Sequence, residues 1–373
     1  MNTLLLASFG QIMNFVWYIV LAILVLLVMI TVHELGHYVT GKIFKFKIEE
    51  FAIGFGPKIF KKTKKNGEKF SIRALPLGGF CSFHGEDEDN SDPGAFNNKK
   101  PWQRIIVLIS GALMNYILAV MLVILMFGIY GHTAIYIGHS DGVNEEYTSQ
   151  YSLHTGDIVI EAEGKNVYLI TDLMNAIEDK KKDQIVDMVV IRGEDTLNVQ
   201  VKLRSDTDFK NVEDLSKLYS ALGISDEKEG DTITTYAIYS AGVRFGFFET
   251  IGRSFEYSFK IAGTIFRVLG QLITGTLGLG SMGGTVTTIS VTANAIKIGG
   301  FRNLLNIASF IGVNLAVFNL LPIPALDGSR AVFTTIEWIR GKPINRRVEG
   351  IIHTIGFALL LLFAIFIDLQ QCF

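Results

Sequence analysis

Apolar residues fill Phe15–Val32 with only Thr31 interrupting, and Leu4–Ile12 precede them. That length is enough to cross a bilayer, which takes about 20 residues. No small-residue cleavage site follows and the charged region comes after the run, so a retained first span is expected rather than a signal peptide. Residues 42–104 are polar and basic, with Lys61, Lys62, Lys64 and Lys65 clustered. Within them lie two glycine-punctuated β-like runs, Phe51–Phe60 and Phe70–Phe83, while Glu86–Asp89 and Asn90–Asn98 read as a solvated loop. A second span is expected over Ile105–Ile129. From residue 131 to 235 charges become frequent and alternation sets in. Asp157–Glu163, Ile185–Arg192 and Thr196–Leu203 read as strands, Asp172–Asp179 as a short helix, and Gly156–Asp157 and Gly193–Glu194 as turns. Phe247–Ile273 places Phe, Ile and Leu on one side, with Glu249, Arg253, Glu256, Lys260 and Arg267 among them. That pattern suits an amphipathic helix on a membrane surface, with a marginal span as the alternative. Gly275–Gly284 is a glycine-rich stretch, a third span covers about Leu304–Leu326 and ends in Pro322 and Pro324, and a fourth covers about Ile351–Ile367. No internal repeat is visible.

The short loops orient these spans. Lys and Arg concentrate in residues 42–104 and in the loop 330–350, which carries Arg330, Arg340, Lys342, Arg346 and Arg347. The positive-inside rule puts both loops in the cytoplasm, which leaves both termini and the alternating module outside. The expected fold is a polytopic α-helical membrane protein of about four transmembrane helices. It carries a membrane-associated β-loop and an extracytoplasmic α+β domain. Its divisions are 1–130 (first transmembrane pair and β-loop), 131–235 (outer module), 236–300 (surface helix and glycine linker) and 301–373 (second pair).

Composition agrees: 49% of the 373 residues are hydrophobic, more than one soluble core needs. The net charge of -2 gives no global bias toward nucleic acid. The two cysteines, Cys81 and Cys372, make neither a disulfide framework nor a Cys-type zinc site. The expected topology puts them on opposite sides of the membrane.

The candidate chemistry centres on His33-Glu34-Leu35-Gly36-His37. On a helix, positions i and i+4 share a face. Two imidazoles so placed can bind one zinc ion, with Glu34 in reach of a water as general base. Zinc brings such a water to a pKa of about 7. The plainer reading is a pair of surface histidines near the headgroups, but three ionisable groups at the end of an apolar span are costly there and point to function. A catalytic zinc takes three protein ligands and an open fourth position. Asp327 is the best candidate for the third. It follows the third span in Asn319-Leu-Leu-Pro-Ile-Pro-Ala-Leu-Asp327-Gly328, where two prolines break the helix at membrane depth. Spans one and three run in the same direction, so His33, His37 and Asp327 reach the same, cytoplasmic side. His84, Glu86 and Asp87 are rival ligands, and Asp327 could instead be a helix-end carboxylate facing Arg330.

These motifs resemble those of the site-2 protease family, most closely its bacterial RseP-type branch, over the whole chain. His33–His37 is similar to the family's zinc and base motif, and Asn319–Gly328 to its second motif, whose aspartate is the third ligand. Phe55-Gly-Pro and Ile72-Arg-Ala-Leu-Pro-Leu-Gly-Gly-Phe80 resemble the β-loop after the first span. Trp102-Gln-Arg and Gly111-Ala-Leu-Met-Asn115 resemble the start of the second. Ala112 stands where a proline is usual and Ser329 where a second glycine is common; neither is a metal or base position. The resemblance implies one zinc per chain and cleavage of transmembrane proteins or peptides in the plasma membrane. Anti-sigma factors and remnant signal peptides are the substrates implied. The outer module resembles a single PDZ domain, most of all in Leu153-His-Thr-Gly156-Asp157-Ile158. A substrate helix must be extended before water can attack it, because its peptide bonds are closed in i to i-4 hydrogen bonds. The β-like runs offer an edge for strand addition, with Gly78, Gly79 and Phe80 as candidate substrate contacts. Asn319 either donates to the extended backbone or closes the proline-broken helix. Rival functions are a non-catalytic scaffold of the same fold and a membrane transporter, which would need repeated halves.

Overall fold

The computed structural model describes residues 2–86, 91–141, 151–209, 214–229, 232–276, 278 and 283–370. Two compact units divide the chain, one built from residues 1–125 with 254–373 and the other from 126–253.

In the first unit, α1 (Asn2–Ile43) leads into a β-loop of β1 (Ile48–Thr63) and β2 (Lys69–Phe83), followed by α2 (Pro101–Tyr130). Each long strand bends, at Gly54–Gly56 in β1 and around Leu75–Gly78 in β2, and the pairing shows four segments. Residues 50–53 lie between 69–72, with which they run in the same direction, and 79–82, to which they are antiparallel, and 60–63 pair antiparallel with 69–72. The segment 79–82 is therefore an outer edge. A buried cluster of Phe46, Ile48, Phe83, Phe96, Val107 and Leu108 fastens the loop to α2. The carboxylate of Glu68 accepts from Lys42, Lys64 (2.7 Å) and Tyr38 (2.8 Å), which ties the hairpin turn to the end of α1.

After the second unit the chain returns as α5 (Phe247–Thr274), α6 (Thr285–Leu320), α7 (Asp327–Arg340) and α8 (Arg346–Gln370). Among the described residues, four helices are long and apolar enough to cross a membrane: Val16–Ile43, Pro101–Tyr130, Val286–Leu320 and Arg346–Gln370. The third begins well before Leu304. Gly300, at φ 55 and ψ −139, is not helical and kinks this element between two helical pieces, 285–299 and 301–320. It also ends at Leu320, because Pro322 and Pro324 lack the N–H groups that would carry it on. α5, with mixed charges among its Phe and Ile residues, is not among the four. Met29, Ala308 and Ile311 pack α1 against α6, with Leu118 and Leu122 of α2 closing the cluster.

The second unit holds β3 (His132–Ile137), β4 (Ile158–Ala162), β5 (Lys165–Asn166), α3 (Ile170–Ala176), β6 (Ile185–Arg192), β7 (Asp195–Lys202), α4 (Leu215–Leu222), β8 (Glu227–Glu229), β9 (Thr232–Thr235) and β10 (Ile238–Val243). Its main sheet runs β10-β3-β4-β6-β7, all antiparallel, over a core that includes Val159, Leu173, Val190 and Leu218. The completely buried Asp157 accepts two bonds from Arg192, at 2.7 and 2.8 Å, and one from the His154 N–H at 2.8 Å, which fixes the turn into β4. β3 and β10 pair residues about a hundred positions apart, and β10 lies beyond residue 235, where the alternating pattern thins out.

Candidate metal centre and catalytic cavity

His33 and His37 lie one turn apart on α1, and both are 7% exposed. α2 crosses them at Gly111, which has no side chain to fill the gap. A Cβ there would lie 2.7 Å from a carbon of each histidine ring. The His37 Nδ1–H donates to the Val107 carbonyl at 2.8 Å when the ring is neutral, so its Nε2 carries the free lone pair. That Nε2 stands 3.1 Å from His33 Nε2 and 3.3 Å from Asp327 Oδ2, and His33 Nε2 is 2.9 Å from the same oxygen. Two ring nitrogens and a carboxylate oxygen thus form a tight triangle. Bonds of 2.0–2.2 Å to a tetrahedral zinc place ligand atoms about 3.3–3.5 Å apart, within a few tenths of an ångström of this triangle. The donor set of two nitrogens and one oxygen is also one that zinc accepts. His33, His37 and Asp327 therefore fit a zinc ion, and they are the one such cluster among the described residues.

Glu34 lies outside the triangle. Together with His33, Asn115, Asn319 and Asp327 it lines a cavity of about 290 Å³. The Cys81 backbone N–H faces its carboxylate, and Gly79 on the β-loop edge lies next to its side chain, where an added Cβ would stand 3.4 Å from Cγ. Of the three candidate substrate contacts, Gly79 is thus brought to Glu34. Gly78 takes φ +109 beside the Phe55 ring, and Phe80 stacks on Phe55 with the Arg73 guanidinium 4.8 Å above it. Burial and the neighbouring Glu34 raise the Cys81 pKa far above the ordinary thiol range, so it supplies no thiolate.

Two of the rival ligands have partners of their own. Glu86 pairs with Arg330. His84 contacts Glu49 at 2.8 Å. Asp87 and Cys372 lie outside the described residues. Asn319 lines the cavity, and no hydrogen bond from its side chain closes the helix break among the described contacts.

Two residues to which the sequence assigns no role of their own also belong here. Asn115 is completely buried in the cavity wall, its amide atoms without partners. His353 of α8 accepts the Ala325 N–H at 3.0 Å and so holds the turn that precedes Asp327. A polar residue inside an apolar span was the available signal for both.

Comparison with known proteins gives the same direction. The model of peptidase family M50 matches residues 21–363. A protein of Clostridium acetobutylicum named as a zinc metalloprotease is 32% identical over 368 residues, covering 95% of this chain and 96% of its own length. A Clostridium perfringens protein of the same designation is 33% identical, covering 92% and 95%. The zinc metalloprotease RasP of Bacillus licheniformis is 28% identical, covering 91% and 96%. A PDZ domain of an SdrC-like protein from Listeria monocytogenes is 20% identical over 22% of this chain and 90% of that one, at a TM-score of 0.17, too low to bear on the fold. With a match across nearly the whole chain, and with the His-Glu-X-X-His helix and Asp327 converging in one cavity, this protein belongs to peptidase family M50, the site-2 protease family of zinc metalloproteases.

Proposed function

We propose that the chain is an intramembrane endopeptidase that cuts single-span membrane proteins, anti-sigma factors and remnant signal peptides among them. The convergence of His33, His37 and Asp327 beside Glu34, at the ends of apolar helices, carries this reading. One zinc ion per chain, held by those three ligands, supplies Lewis-acid polarisation of a carbonyl and acidification of water. Glu34 takes the proton of the attacking water and passes it to the leaving amine. The edge at 79–82 holds the unwound substrate segment by strand addition, which keeps its carbonyls beside Glu34. Asn319 donates to that backbone from the opposite wall. The basic loops set the active site toward the cytoplasm, and the PDZ-like module lies outside as a filter on substrates.

Glu34→Gln and Asp327→Asn separate this reading from a scaffold or transporter. Glu34→Gln is expected to keep its zinc while cleavage of a transmembrane-helix substrate in detergent falls about a hundred-fold or more. Asp327→Asn is expected to lose metal as well. Glu34→Gln cutting at the wild-type rate refutes the base assignment. A wild type that cuts no membrane substrate refutes the protease reading.

A further inference from the structure

The catalytic cavity has one polar wall residue that the metal and base assignments leave unused. Asn115 of α2 is 0% exposed, and neither Nδ2 nor Oδ1 has a hydrogen-bond partner among the described residues. A buried amide left unpaired is destabilising, and native proteins complete such groups in some working state. Gly111, which meets both histidine rings, lies one turn earlier on the same face of α2. The Asn115 amide is therefore about one helical turn, ~6 Å along the axis, from the ligand triangle.

The cavity is rich in acceptors and poor in donors. Glu34, Asp327 and the histidine lone pairs all accept. Among the described lining residues, the side-chain N–H donors that are not on a candidate ligand ring belong to Asn115 and Asn319; the remaining one, His33 Nδ1–H, is fixed by the ring that would hold the metal. In peptide hydrolysis the carbonyl oxygen gains negative charge as the water adds, and a fixed neutral donor stabilises that charge without bringing another ion into the bilayer.

We propose that Asn115 is a catalytic residue whose Nδ2–H donates to the oxygen of the peptide carbonyl being cut. This rests on the protease reading above. Both functions of the amide can be removed at constant size: Asn115→Leu deletes donor and acceptor, and Asn115→Asp keeps acceptors but no amide N–H. Zinc content is expected to stay at the wild-type level in both. The Tm of Asn115→Leu should equal or exceed that of the wild type, because an unpaired polar group has gone. In both variants kcat on a membrane-helix substrate should fall about a hundred-fold, the scale of one lost oxyanion donor, with KM little changed. A readout that needs no turnover is the infrared band of an isotope-labelled scissile carbonyl in a substrate peptide bound to Glu34→Gln. Adding Asn115→Leu should shift that band upward in frequency. An unshifted band overturns the proposal, as does wild-type kcat in Asn115→Leu. If the wild type itself cuts no membrane substrate, the protease reading fails instead.

Discussion

Gly111→Ala tests the proposed metal centre without changing a candidate ligand or the candidate base. By helix propensity alone, alanine at an internal helix position is worth ~1 kcal/mol over glycine, so the local expectation is a more stable α2. The packing predicts the opposite at the site. The new methyl would lie 2.7 Å from a carbon of both the His33 and His37 rings, and closer still to His37 Nε2, where ordinary contact begins near 3.4 Å. Rings or helices must therefore part by at least ~0.7 Å. Neither has room to do so. His37 is held through Nδ1 by the Val107 carbonyl, and α1 already touches the backbone of Ser110 and Gly111 at Gly36. A displacement of this size is expected to weaken zinc binding ~10–100-fold, the scale seen when the support of a ligand is lost. Cleavage should fall ~100-fold, since about 1 Å of misplacement costs that much. The assay is zinc content after dialysis against graded chelator, with cleavage of a membrane-helix substrate in detergent. Gly128→Ala is the control: it lies in the same helix, and nothing stands within 4 Å of the added atom. Gly111→Ala that holds zinc and cuts like the wild type would refute the reasoning.

Two further outcomes are expected. Burial, and then the nearby Arg253, lower the His132 pKa to about 4, with the ring between Phe127 (4.1 Å) and Phe245 (4.9 Å). The unfolded chain thus binds a proton that the folded unit refuses, so this stability is complete above about pH 6.5 and declines toward pH 4, at up to ~1.4 kcal/mol per pH unit. The protection factors of the β3 and β10 amides, corrected for the intrinsic exchange rate at each pH, should fall from about pH 6.5 to about pH 4 in the wild type and not in His132→Phe; equal profiles would sink the assignment. For topology, a single cysteine placed at Lys64 should label only from the cytoplasmic side and one at Lys181 only from outside, and labelling of both from one face would overturn the proposed orientation.

What the sequence made legible follows from the range of each signal. The pair His33 and His37 was readable because helical periodicity is local, and the helix break at Pro322–Pro324 because proline acts on its own turn. The strands β4, β6 and β7 carried their alternation within a few residues. The pairing of β3 with β10 spans about a hundred residues and leaves no local mark. The runs in the β-loop were visible, but their division into four paired segments depends on bends at Gly54–Gly56 and Leu75–Gly78. Asn115 was noticed only as part of a resembling stretch, because burial without a partner is a property of three packed helices. His353 stands out locally only as a polar residue in an apolar span, and its bond to Ala325, 28 residues away on another chain segment, leaves no local mark.

The turn between α6 and α7 is where these long-range effects become chemistry. His33 and Asp327 are separated by 294 positions, yet their ligand atoms must meet within the reach of one ion. The prolines stop α6 at Leu320, but stopping a helix does not aim the next one. Ala325 adopts φ 81, a left-handed conformation that costs a non-glycine residue about 1–2 kcal/mol. The bond from its N–H to His353 Nδ1 offsets part of that cost and pins the turn to α8. Gly328 then packs directly on the backbone of Leu320 and Leu321, where any Cβ would collide with their carbonyls. The first turn of α7 is thereby folded back against the end of α6, and Asp327 is left on the side that faces α1. A carboxylate in the first turn of a helix is favoured by the backbone dipole. The site therefore draws its third candidate ligand from a helix start whose position is set by two prolines, one strained alanine and one glycine contact. The histidines come from a continuous helix that needs no such device.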